Sequence, residues 1–192
     1  LLLGGDFVTC RGSQIDGLLQ ILRGFTPALG QFAVLGNHDR LADEAYIRRQ
    51  LHAADIPVLM NAAAHLPAPF DSVSVCGIDD PWTGEPDVTR AFEDAGPLRI
   101  FLTHSPDGLM FVKSEQFHVA LAGHTHGGQI ALPGGRAIFS GGGPLSRRYT
   151  RGYFALPDNG PLIVGRGIGC GGIPVRINAD PELIICTLRN AA

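Results

Sequence analysis

The strongest constraint in this sequence is a repeated punctuation. Five short apolar runs each end in glycine and polar residues. Leu1–Leu3 precedes Gly4-Gly5-Asp6, and Phe32–Leu35 precedes Gly36-Asn37-His38-Asp39. Val73–Val75 precedes Cys76-Gly77-Ile78-Asp79-Asp80, and Ile100–Thr103 precedes His104-Ser105-Pro106-Asp107. Val119–Ala122 precedes Gly123-His124-Thr125-His126. Runs this short are not helices and read as buried strands. Helix signals lie between them. Ser13 is placed to cap a helix over Ile15, Leu18, Leu19 and Leu22 that stops at Gly24. A second helix is expected from about Asp39 to Ala54, with Ile47 and Leu51 on one face, and a third from Asp87 to Asp94. After Gly127 the pattern turns to short strands and glycine turns, at Gln129–Leu132, Ala137–Phe139, Arg151–Leu156, Leu162–Val164 and Glu182–Leu188. The pattern predicts an α/β sheet core finished by β-hairpins, in one domain over residues 1–192.

Composition narrows the function classes. The chain has 192 residues, 45% hydrophobic and 17% charged, which excludes a disordered tail and allows one sizeable core. Its 26 glycines and 14 prolines argue for many turns and against a helical bundle. A net charge of -3 supplies no broad basic field, so nucleic acid is not an expected partner. No apolar run approaches the roughly 18–20 residues that cross a bilayer. Cys10, Cys76, Cys170 and Cys186 fit neither a zinc finger nor a disulfide framework and are expected as free thiols. The chain opens without methionine, in what reads as the middle of a strand. Upstream sequence is therefore expected, with room for a targeting segment or membrane anchor. That leaves cytoplasmic, membrane-associated and exported locations all open.

The chemistry sits at the strand ends. Asp6, Asn37, His104, His124 and His126 all lie just past a run. Ligand sites in open α/β sheets form beyond the carboxyl ends of strands, so four strands are expected to deliver these groups to one edge of one sheet. Two histidines, a carboxylate and an amide oxygen form a mixed nitrogen and oxygen set suited to Zn²⁺, Mn²⁺ or Fe. Each piece has a plainer reading. Gly5-Asp6 is a common turn, Asn37-His38-Asp39 serves equally as a helix cap and first turn, and His104 fits a capped turn. Two histidines in a glycine loop are harder to assign to packing.

Taken together and in order, Gly5-Asp6, Gly36-Asn37-His38-Asp39, His104 and Gly123-His124-Thr125-His126 resemble the signature blocks of the calcineurin-like metallophosphoesterase superfamily. The wording is similar to its bacterial YkuE-like branch at Gly4–Val8, His104–Asp107, Gly123–Ile130, Arg166–Gly169, Pro174–Arg176 and Pro181–Leu183. The resemblance implies a sandwich of two sheets flanked by helices, with a dinuclear metal site at the sheet edge. It implies a hydrolase of phosphomonoesters or phosphodiesters that attacks with a metal-bridging hydroxide. Asp6 would bridge two divalent ions, Asn37, His104 and His124 would complete one, and His126 would bind the other. His38 would be the catalytic histidine, oriented by Asp39. Cell-envelope or lipid-linked phosphates are the substrates the branch suggests.

One block of the resemblance has no match. The superfamily's Asp-x-His on a first strand supplies the remaining ligands of the His126 metal, and the chain contains none. The expectation is an N-terminally truncated sequence lacking that strand and helix, with the block upstream. The alternative is a catalytically weak metal- or phosphate-binding protein that keeps the fold.

Gly167–Gly172 matches a dinucleotide-binding glycine pattern in letters, but no helix signal follows and a tight turn is expected. The basic-aromatic stretch Ser146–Tyr153 reads as an edge strand with solvent-facing charges, or as an anion-binding rim. The Asp79–Trp82 loop is a candidate for the opposite wall.

Overall fold

The computed structural model describes residues 1–189. Two sheets carry the fold. The first pairs β1 (Leu2–Leu3) with β2 (Phe32–Ala33) in parallel, Leu2 opposite Phe32. The second comprises β3 (Ala62–His65), β4 (Val73–Gly77), β5 (Leu98–Leu102), β6 (Val119–Ala122), β7 (Gly152–Phe154) and β8 (Leu162–Val164), in spatial order β3-β4-β5-β6-β8-β7. Its four central strands are parallel, and β3 and β7 close the edges in antiparallel fashion.

Side-chain alternation along the strands builds the layers. Leu2, Phe32 and Val34 point from the small sheet toward Val75, Leu102 and Leu121 of the large one, forming a core between the sheets. The opposite parity, Leu3, Ala33 and Leu35, packs under α1 (Ile15–Leu22) and α2 (Asn37–Ala53) through Leu19, Leu22, Ile47 and Leu51. On the far face of the large sheet, Cys76, Phe101, Ala120 and Leu162 pack against Val88, Ala91 and Phe92 of α3 (Val88–Glu93). There Phe101 stacks on Phe117 at 5.5 Å between ring centroids. The result is helix, sheet, sheet, helix: the expected sandwich with its flanking helices.

Several expectations change. The site-bearing strands belong to two sheets and not to one edge of one sheet, because β1 and β2 form a sheet of their own, extended only by a parallel bridge from Ala33 to Val58. Ser13 does not cap α1; it sits inside a 3-10 turn, Gly12–Gln14, whose Gln14 side chain takes the amides of Thr9, Cys10 and Arg11. Helix α2 begins two residues early and kinks at Asp43 (φ -151), where the Asp43 carboxylate caps the Tyr46 amide. The run Ala62–Ala64 forms β3 although alanine carries no strand signal. Gln129–Leu132 and Ala137–Phe139 yield only isolated bridges, and Glu182–Leu188 forms no strand. Arg147 and Arg148 lie on a short helix, α4 (Pro144–Arg148), so the edge strand read into Ser146–Tyr153 begins only at Gly152. Gly167–Gly172 is a turn with no helix after it. All four cysteines are free.

Candidate metal centre

The ends of β1, β2 and β5 meet closely because glycine lets them. A Cβ at Gly36 would lie 2.2 Å from Asp6 Oδ1 and 2.5 Å from His104 Cε1, so no larger residue fits there. Through this gap Asp6 Oδ2 reaches within 3.3 Å of His104 Nε2. His104 Nε2 lies 3.0 Å from Nδ1 of His124, which follows β6. Donor atoms of Asp6, His104 and His124 all lie within 4.8 Å of one another.

The protonation pattern suits a cation. His104 donates Nδ1–H to the Gly4 carbonyl at 2.7 Å, and a carbonyl only accepts, so Nε2 is the nitrogen left to face the cluster. Burial alone would raise the Asp6 carboxyl, but the hydrogen bond and charge of His104 and the His38 amide outweigh it and hold it below the usual range. For His104, burial pulls down while the Asp6 bond and charge push up, and the net shift is upward. Burial, then the charge of His104, lowers His124 to about 4, which keeps its ring neutral and ready to ligate at pH 7.

Buried polar atoms without partners supply the test of fit. Among the described residues, Asn37 Oδ1 and His124 Nε2 are buried with no hydrogen bond, and so is Asp80 Oδ1. Asp80 is fully buried, and its charge is felt at both His104 and His124. Buried polar groups are normally paired, and an orphaned ring nitrogen on one of the three converging residues marks where a ligand belongs. The donor set present fits a divalent metal ion. Asp6, His124 and His126 also hold left-handed backbone, with φ of 54, 68 and 52. Such strain in non-glycine residues costs about 1–3 kcal/mol each and collects at functional sites.

His126 stands apart from the three. Its ring nitrogen Nδ1 lies 3.4 Å from a terminal nitrogen of Arg176, which also donates to the carbonyls of His126, Arg166 and Ala179. Burial and then the Arg176 charge lower its pKa. His38 is at the mouth: its amide donates to Asp6 Oδ1 at 2.9 Å and its ring Nδ1 meets the Thr9 carbonyl at 2.8 Å.

Asp39 has a different partner set from the one expected. It does not face the His38 ring. Its fully buried carboxylate accepts four backbone amides, from Asp6 (2.7 Å), Phe7 (2.7 Å), Val8 (3.2 Å) and Gly36 (2.9 Å). The Gly36 bond is half of a capping box on α2, and the other three fix the Asp6 turn. Burial pushes the Asp39 carboxyl up to about 6, against the pull of the Gly36 amide.

Asp107 is a second hub that the sequence motifs did not single out. Buried, it accepts from Trp82 Nε1 (3.3 Å), the amides of Gly143 (3.0 Å) and Leu145 (3.0 Å), and the Ser146 side chain. It thereby ties the Trp82 loop to the Gly141-Gly142-Gly143 turn. A Cβ on Gly142 would lie 3.0 Å from His124 Nε2, so this turn forms a wall of the site. Trp82 is half exposed and does not pack under its own loop. Asp79 is spent on Arg40 at 2.8 Å and on the Glu85 amide.

Comparison with known proteins decides the family. A metallophosphoesterase of Aquifex aeolicus (strain VF5) is 30% identical over 201 residues, covering 98% of this chain and 72% of that protein. Phosphodiesterase YaeI of Escherichia coli (strain K12) is 31% identical over 193 residues, covering 98% of this chain and 69% of YaeI. The chain belongs to the calcineurin-like metallophosphoesterase superfamily. A third relative, UDP-2,3-diacylglucosamine pyrophosphatase LpxG of Chlamydia muridarum (strain MoPn / Nigg), is 32% identical over 146 residues, covering 72% of this chain and 43% of LpxG. No family model matches, and no solved structure matches. This metallophosphoesterase is accordingly a metal-dependent hydrolase of phosphoric esters. No helix among its described residues is long and apolar enough to cross a membrane.

Proposed function

We propose that this metallophosphoesterase cleaves phosphomonoester or phosphodiester bonds at a dinuclear centre built on Asp6. The observation that carries the reading is the convergence of Asp6, His104 and His124, with His124 Nε2 buried and unpartnered. Asp6, Asn37, His104 and His124 would hold one divalent ion, of Mn, Zn or Fe type. Asp6 and His126 would contribute to the second, with further ligands from the Asp-x-His block that the resemblance places upstream. Bound divalent ions supply Lewis-acid neutralisation of the phosphoryl oxygens and lower the pKa of water.

The protein's own groups do the rest. His104 is held in the ligating tautomer by Gly4. The amide of His38 fixes one Asp6 oxygen so that the other faces the histidines. The His38 ring, beside the mouth, hydrogen-bonds a phosphoryl oxygen or gives a proton to the leaving oxygen. Asp39 acts by positioning the Asp6 turn against Gly36. The names of YaeI and LpxG support diester-type and lipid-linked phosphates as the substrate class.

Two measurements test this. Hydrolysis of bis(p-nitrophenyl) phosphate should require added Mn²⁺ or Zn²⁺, disappear on chelation and return on metal addition; activity that survives complete chelation overturns the reading. Elemental analysis of this 192-residue chain should find about one tightly held ion, since one position has four ligands and the other two. For His38, replacement by alanine should lower kcat by about 10²–10⁴-fold with metal content intact. Loss of the metal in His38→Ala would instead make His38 a ligand.

A further inference from the structure

One concavity is not used by the reading above. It has a volume of about 190 Å³ and is lined by Arg151, Gly152, Arg166 and Glu182. It adjoins the metal loop through Gly127, the residue after His126. A Cβ on Gly127 would lie 2.8 Å from Arg166 Cγ and 3.7 Å from Arg151 Cδ, so both arginine stems rest on that one backbone position.

The two guanidinium groups are held, and their ends are left over. Arg166 donates its backbone amide (3.2 Å) and Nε (3.1 Å) to the same Glu182 oxygen. Glu182 is itself anchored by its amide on the Gly167 carbonyl. Among the described residues, the terminal nitrogens of Arg166 meet no acceptor, and Arg151 uses only Nη2, on the Gly134 carbonyl. Two positive groups face one carboxylate, so the cavity keeps a net positive charge. Arg166 Nε ties the 166 turn to Glu182 and Arg151 Nη2 holds the Gly134 carbonyl, which leaves the other guanidinium N–H groups of both residues without an acceptor at a cavity that both line. An anion in that cavity takes the free N–H groups in charge-assisted bonds. Arg147 and Arg148 are not part of this arrangement: both are exposed, and Arg148 stacks over Tyr149.

We propose that Arg151 and Arg166 form a second anion subsite, one residue from His126. It holds the distal anionic group of a doubly charged phosphoester, a diphosphate diester in chemical class, while the reacting phosphoryl group lies at the Asp6 cluster. This rests on the phosphoesterase reading for its place in the reaction, but not for binding itself.

The experiment has two arms. Calorimetric titration of metal-free protein with inorganic pyrophosphate reads the subsite alone. Wild type should bind, and Arg151→Gln should weaken binding about 10-fold or more with an unchanged thermal melt. Arg166→Gln should do the same, and serves if Arg151→Gln fails to fold. In the second arm the metal-loaded enzyme is given bis(p-nitrophenyl) phosphate, with one charge, and bis(p-nitrophenyl) diphosphate, with two. Arg151→Gln should raise KM for the diphosphate about 10-fold more than for the monophosphate diester. No pyrophosphate binding by wild type, equal binding by both variants, or an equal rise in both KM values overturns the subsite. Hydrolysis of neither compound by wild type, with pyrophosphate binding that still depends on Arg151, sinks the phosphoesterase reading and leaves the subsite standing.

Discussion

Asp6→Ala should leave the protein without tightly bound metal and lower hydrolysis by about 10³-fold or more. Among the described residues, Asp6 is the one carboxylate of the three converging donors, and its two oxygens have separate tasks. One accepts the His38 amide at 2.9 Å and the other faces His104 at 3.3 Å. Removing it takes away the negative charge that holds a cation beside the two imidazoles. Lewis-acid stabilisation of phosphoryl charge is worth several kcal/mol, and each 1.36 kcal/mol is about tenfold in rate. Alanine also sits badly at φ 54, so the comparison variant is Asp6→Asn, which tolerates left-handed backbone. Asn keeps an acceptor for the His38 amide and loses only the charge. Elemental analysis after dialysis and steady-state kinetics read both variants. Wild-type metal content in Asp6→Ala would remove Asp6 from the site.

Asp39→Ala should cost about 3–5 kcal/mol of stability, more than any exposed substitution in the molecule. Four backbone amides lose their acceptor at once, and all four lie outside the strands, with no ladder partner to turn to. Each buried donor left unpaired costs about 1–3 kcal/mol, offset where water can enter. Asp39→Asn should recover little, because its amide nitrogen would face amides on one side. Denaturant unfolding measures the loss. Stability within about 1 kcal/mol of wild type would mean that the carboxylate does not hold the Asp6 turn. Where the turn does loosen, Asp39→Ala should also lose metal, as a consequence of a displaced Asp6.

What could be read from the sequence follows from how local each signal is. β6 and β8 are continuous apolar runs and coincide with Val119–Ala122 and Leu162–Val164. Asp87 caps α3 by accepting the Arg90 amide, a signal carried within four residues. The position of Asp6, His104 and His124 at strand ends was also visible, since it depends only on where apolar runs stop. Their meeting across two sheets was not, because the pairing of β1 with β2 is a long-range choice. The segment 182–188 holds a strand-like apolar run, yet Leu183 and Ile185 are 80% and 94% exposed. Pattern marks a strand only if a neighbour is there to receive its hydrogen bonds. Asp39 looked like an orienting group for its neighbour in sequence. Its real partners are mostly amides about thirty residues away, which no spacing rule reveals.

Trp82 gives the protein an intrinsic optical probe. It is the sole indole in the chain, half exposed, with its N–H on Asp107 and its ring against Gly143. Gly143 continues directly into Gly142, which touches His124. Indole emission from the unmodified protein, excited beyond the tyrosine band, therefore comes from a single known place beside the glycine wall of the site. Any ligand that shifts the glycine wall changes the polarity around that ring, so occupancy can be followed in real time without a dye, a tag or a chromogenic substrate.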